Sequence, residues 1–205
     1  MYNGVKNRED VPQNKTSDYM SSILDKPAVR EAAIPISVEQ YRKLGEAGII
    51  DEQTELLRGV IVRKMIKSPQ HTWFVQKLVE MISKQIGTGY ILRQEQPLSL
   101  VDSEPEPGVA VILGSADDYR SHHPTTASLV IEVAVTSEEL DREKTALYAE
   151  SGVEEFWLVL VEKQCVEQFA HPSGSKYADL ETKNFNSTLV SKALPEVAVD
   201  LSALK

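Results

Sequence analysis

Residues 129–161, LVIEVAVTSEELDREKTALYAESGVEEFWLVLV, constrain the fold more than any other stretch, because they read as strand, helix, strand. Leu129, Val130, Ile131, Val133 and Val135 form a short apolar run rich in β-branched residues, as a buried strand requires. Glu132 interrupts it. A carboxylate inside a buried strand is costly unless a cation or a strong hydrogen-bond set compensates it. Thr136 or Ser137 is a good N-cap for the helix that follows, and Glu138 and Glu139 put negative charge in its first turn. Lys144 and Tyr148 are four apart and share a helical face. Gly152 stops the helix. The run 156–161 is continuous and apolar, as in a central strand.

An acid on a strand and a lysine on the next helix could form one site. The surrounding chain supports a sheet to carry them. Ser37 and Gln40 form an S-x-x-Q capping box at the start of a short helix, with Val38, Tyr41 and Leu44 on its apolar face. ELLRGVIVRKM, residues 55–65, reads as a hairpin turned at Arg58-Gly59. Ser68-Pro69 reads as a break. An amphipathic helix is expected over 71–86, with Phe74, Leu78, Met81 and Ile82 at helical spacing. Short strands are expected at 90–92, 98–100 and 109–113, and 117–126 reads as a loop. Residues 165–169 pair back on 156–161, a turn is expected at 171–174, and strand-like pieces follow to the end. The expected fold is therefore α/β (α+β), a central mixed sheet flanked by helices with an N-terminal helix-hairpin extension. One domain is expected over 34–205. Residues 1–33 are polar, with Pro27 limiting any helical turn there, and read as a flexible extension.

Composition bounds the function. A hydrophobic fraction of 41% and a charged fraction of 26% suit a soluble globular domain. No apolar run approaches the ~20 residues that span a bilayer, and the first residues lack the apolar core of a signal peptide. The lone Cys165 excludes an internal disulfide and a CxxC zinc site, so a cytoplasmic setting is expected. A net charge of −9 opposes non-specific nucleic-acid binding, which draws on Lys and Arg. It leaves a nuclease open, since a metal centre itself needs carboxylates.

Four blocks in order, ISVEQYRKLGEAGIIDEQTELLRGVIVRKM, SPQHTWFVQKLVEMI, EPEPGVAVIL and LVIEVAVTSEELDREKTALYAESGVEEFWLV, resemble the Uma family of endonucleases in the restriction-endonuclease-like PD-(D/E)XK superfamily. The resemblance implies hydrolysis of DNA phosphodiesters with Mg²⁺ or Mn²⁺ held by carboxylates and a backbone carbonyl, and a homodimer. It implies that Glu132 is the strand acid, that the carbonyl of the next residue, Val133, is a further metal ligand, and that Lys144 is the lysine that steadies water or phosphate charge. It further implies that Glu55 is the early hairpin acid, with His71, Tyr148 and Asp141 in support. The sequence departs from the family at one position. Gly108 stands where the acid of the PD motif belongs. Glu106 is a substitute two residues away, about 6.6 Å in an extended chain, too far for one extra CH₂ to recover. The resemblance thus implies an endonuclease weakened at one metal ligand. The alternative is a non-catalytic pseudo-nuclease that serves as an interaction or dimerisation module.

Each of these residues also has an ordinary reading. Glu132 could be a structural acid paired with Lys or Arg. Lys144 and Tyr148 could be helix surface, and Asp141–Lys144 an exposed i,i+3 pair worth a few tenths of a kcal/mol. Glu55 is a common kind of exposed hairpin acid, and His71 a plain helix-start residue. His122-His123 beside Asp117-Asp118 looks like a metal cluster, but adjacent loop histidines rarely ligate one ion with good geometry.

Overall fold

The computed structural model describes residues 25–205, so the expectation of a flexible extension lies largely outside the described residues. The chain divides into two compact units, Met1–Pro35 and Ile36–Lys205. In the first, Pro27–Ala32 forms a short helix, α1. Pro27 opens it rather than limiting it, because an N1 proline has no amide hydrogen to lose and its φ is already helical.

The second unit begins with helix α2, Val38–Glu46. Its capping box is present, with Gln40 N donating to Ser37 Oγ and Ser37 N to Gln40 Oε1. The hairpin follows as β1, Thr54–Leu57, and β2, Val60–Arg63. Its two-residue turn needs left-handed backbone twice, and Arg58 and Gly59 supply φ of 52° and 72°. Ser68-Pro69 is a helix start rather than a break. Ser68 accepts from His71 N and Pro69 opens α3, Pro69–Ser83.

A six-stranded sheet is the frame. It comprises β3 (Tyr90–Gln94), β4 (Val109–Leu113), β5 (Leu129–Ala134), β6 (Glu155–Leu160), β7 (Cys165–Ser173) and β8 (Lys176–Asn184), in that spatial order. Only β5 and β6 are parallel, and α4, Glu138–Glu150, joins them. The sheet is mixed, as expected. Leu129, Ile131 and Val133 on one face pack with Phe74, Val75, Leu78 and Ile82 of α3. Val130 and Ala134 on the other face pack with Leu147 and Tyr148 of α4. Glu132 lies between the latter two by strand alternation and so faces α4.

Three local expectations change. Residues 98–100 form no strand. Leu98 and Leu100 are buried, but the amides of Leu98 and Ser99 donate to the carbonyls of Pro105 and Pro124, within a loop cluster. The turn expected at 171–174 falls later, at Gly174, since β7 continues to Ser173 and pairs with β8. The loop at 117–126 begins with a 3₁₀ turn, Ala116–Tyr119. A small antiparallel pair, β9 (Thr188–Val190) and β10 (Ala198–Asp200), closes the chain before a final 3₁₀ turn.

Candidate functional site

Three elements converge on one ammonium group. The hairpin turns Glu55 inward on β1, β5 contributes Glu132, and α4 presents Asp141, Lys144 and Tyr148 at i, i+3 and i+7 on one face. Lys144 Nζ lies 3.0 Å from Glu55 Oε1, 3.1 Å from Glu132 Oε1 and 3.4 Å from Asp141 Oδ1. Tyr148 OH donates to the same Glu132 oxygen at 2.7 Å. The second oxygen of Asp141 accepts from the hydroxyl of Ser137. Ser137 holds the N-cap position, yet its side chain makes no capping bond and serves Asp141 instead. The second oxygen of Glu55 accepts from Glu106 N at 3.3 Å. All five side chains are buried.

This geometry moves four residues away from their ordinary readings. Lys144 and Tyr148 are not helix surface, and Asp141–Lys144 is a buried contact. Glu55 is an interior acid. The cluster borders a cavity of about 110 Å³ that Gly108, Val133, His71, Glu95 and Glu106 also line. Glu106 turns its carboxylate to Lys64, 2.8 Å away. His71 stands 4.0 Å from Glu95, which Lys67 pairs at 3.1 Å. Burial pushes the His71 imidazole below its usual range. The sequence reading missed Ser137, Lys64, Lys67 and Glu95 as neighbours of the site. Their only signal was position: each lies in a connection between elements whose ends reach the cavity.

The charge balance is uneven, with three carboxylates facing one ammonium. Burial alone would lower the Lys144 pKa, but Glu132, Glu55 and Asp141 outweigh it and hold the ammonium protonated beyond its ordinary range. Burial raises Glu132 to about 7; Asp141 and Glu55 add to the rise, while Lys144 and the Tyr148 hydroxyl oppose it. Burial likewise raises Asp141. One ammonium cannot compensate three acids, so the cluster retains a proton close to neutral pH. A carboxyl whose folded pKa is raised binds its proton more tightly in the folded state. Its contribution is therefore full below the unfolded value of 4.5 and is lost as pH rises to about 7. Unfolding free energy should fall across that window by up to about 3 kcal/mol. In Glu132→Gln the difference between pH 5 and pH 8 should shrink, as read by urea denaturation at the two pH values.

A divalent metal does not fit these residues as they stand. Among the described residues, no group of three or more His, Cys, Asp or Glu side chains is placed to hold one. A lysine ammonium carries three N–H donors, and each here faces a carboxylate, so the ammonium takes the place a cation would need. Position 108 adds nothing. It lies one step past the Val109–Ile131 pair of the ladder, level with Glu132. A Cβ built there would stand 3.2 Å from Val75 Cγ2 and 3.3 Å from the Ile131 carbonyl oxygen. An acid at 108 would require those neighbours to give way.

A mixed sheet with helices on its faces and an acid–lysine cluster beside the strand ends places the molecule among proteins with a nuclease-like fold. The crystal structure of "a putative nuclease belonging to DUF820 from Anabaena variabilis" is similar over 83% of this chain and 97% of that one, with a TM-score of 0.70 and 16% identity. The chain belongs to the Uma2 family, described as "Putative restriction endonuclease", whose model matches residues 38–202. Among curated proteins, none matches this sequence.

Proposed function

We propose that this chain is a nuclease-fold protein that engages DNA but whose Mg²⁺- or Mn²⁺-dependent cleavage of phosphodiesters is lost or strongly weakened. The carrying observation is that Lys144 Nζ sits 3.0, 3.1 and 3.4 Å from carboxylate oxygens of Glu55, Glu132 and Asp141, with no acid at position 108. A lysine enclosed by three carboxylates in this way is turned from water and from a phosphate oxygen. Of the groups that would ligate a metal beside the Val133 carbonyl, Glu106 is paired with Lys64, and Glu132 shares the Lys144 ammonium with Glu55 and Asp141. The proposal includes the cytoplasmic setting expected from the lone Cys165 and a homodimer, a state that sedimentation equilibrium reads directly. No described helix is long and apolar enough to cross a membrane.

The test is nicking of supercoiled plasmid over a Mn²⁺ titration, comparing wild type with Glu132→Gln. The expected result is equal, background nicking by both. Nicking that requires Mn²⁺ in wild type and vanishes in Glu132→Gln would overturn the proposal and restore an active endonuclease. The alternative of a pure interaction module predicts no binding to duplex DNA at low salt.

A further inference from the structure

Arg93 is 8% exposed, and none of the arginine ion pairs among the described residues includes it. It lies on β3, at the sheet edge. A buried guanidinium without a carboxylate is costly. Its Nη2 lies 3.5 Å from the Pro97 carbonyl oxygen and 3.2 Å from His123 Nδ1, and its Nε has no partner. A guanidinium only donates, so His123 Nδ1 must accept. That fixes His123 in the neutral Nε2–H tautomer and leaves Nε2–H to donate elsewhere. Burial pushes the His123 imidazole below its usual range, opposed by the Glu104 carboxylate and helped by Arg93 and Arg42.

His123 lines a hollow of about 340 Å³ together with Arg42, Tyr119, Arg120, Ser121 and His122. No carboxylate lines it, although the chain carries a net charge of −9. Arg42 is engaged by Glu104, 2.5 Å away, and by Ser99 Oγ. Tyr119 OH donates to the Leu113 carbonyl. The donors left to the hollow are Arg120, which joins no ion pair among the described residues, His122, Ser121 and His123 Nε2–H. A lining that offers several donors and no carboxylate, in front of a buried cation without an acid partner, is the arrangement that holds an oxyanion.

We propose that this hollow is a phosphate-binding pocket, seated on Arg93 and His123 and closed by Arg120 and His122. Resting on the reading that the chain engages DNA, its occupant is a backbone phosphate of the bound strand. The segment from Glu104 to Glu106 links the two places. Glu104 pairs with Arg42 at the hollow, and Glu106 N donates to Glu55 in the lysine cluster. A free phosphate has the same chemistry, and the experiment separates the two sources.

The probe is the ¹H–¹⁵N imidazole spectrum of the full chain, titrated at constant ionic strength with inorganic phosphate and with a 20-base-pair duplex. The expected result is saturable movement of His122 and His123 with both ligands, while His171 stays still. In fluorescence anisotropy, Arg120→Ala should weaken duplex binding about tenfold and lower the slope of log affinity against log salt by about one. Duplex binding that leaves His123 unmoved and is indifferent to Arg120→Ala overturns the pocket and spares the DNA reading. Phosphate movement of His123 with no duplex binding upholds the pocket for a free phosphate and overturns the DNA reading. Stillness of His123 with both ligands overturns the pocket.

Discussion

Lys144→Met lowers the unfolding free energy by about 3–5 kcal/mol at pH 8, the usual cost of removing one partner from a buried ion cluster, and by markedly less at pH 5. Methionine fills most of the volume of lysine, so a cavity contributes little. The loss comes from Glu55, Glu132 and Asp141, whose side chains remain 3%, 6% and 8% exposed with nothing to balance them. At pH 8 each must stay charged beside its neighbours or take a proton from dilute solution. At pH 5 protons are abundant. Burial has already raised Glu132 and Asp141, and without the ammonium they rise further. The variant should therefore depend on pH more steeply than wild type, in the same sense. Urea denaturation at both pH values decides it. An equal loss at both would mean that Lys144 acts through packing alone. Lys144→Arg does not substitute, because a planar fork cannot point three donors at three carboxylates around one nitrogen.

Part of this cluster can be read from the sequence. Glu132 declares itself because it breaks an apolar run, and the spacing of Lys144 and Tyr148 sets them on one face. The capping box at Ser37 and the turn at Arg58-Gly59 are local, so sequence suffices for them. The number of acids sharing Lys144 is not local. Glu55 reaches it only because the hairpin register turns that residue inward, and Asp141 looks like a surface partner until the helix is docked. The absence of an acid at position 108 is legible as one letter. The side chain of Val75 closing over that position is a fact of packing between α3 and the sheet. Residues 98–100 have a strand's apolarity, but their amide partners come from loops, which no periodicity reveals. The prolines at 27 and 69 read as interruptions, although each occupies the one helical position where a missing N–H costs nothing.

Glu155 was not singled out in the sequence, where it is one of two acids between Gly152 and an apolar run. Yet it is fully buried at the start of β6. Glu132 and Glu155 illustrate two ways to keep an acid inside a strand. Glu132 has an ammonium. Glu155 has hydrogen bonds only: Oε1 accepts from Trp157 Nε1 and Gln168 Nε2, each at 2.5 Å. Its Oε2 accepts from Ser191 Oγ at 2.5 Å and from the amides of Lys192 and Ala193 at 2.8 and 2.9 Å. Trp157 is on the same face by alternation; the other partners come from β7 and from the chain just after β9. The carboxylate thus ties the C-terminal segment to the sheet. Glu155→Ala strips an acceptor from five donors. An orphaned buried donor costs about 1–3 kcal/mol, and relaxation toward water relieves the less buried ones, so a loss of about 3–5 kcal/mol is expected. Glu155→Gln keeps one acceptor oxygen but sets an NH₂ against donors, so it should recover little. Hydrogen exchange supplies the local readout, with the amides of Lys192 and Ala193 losing protection while those of β5 keep theirs under mild conditions. Unchanged protection of those two amides in Glu155→Ala would show that the segment is held by the packing of Leu194 and Val197 and not by the carboxylate.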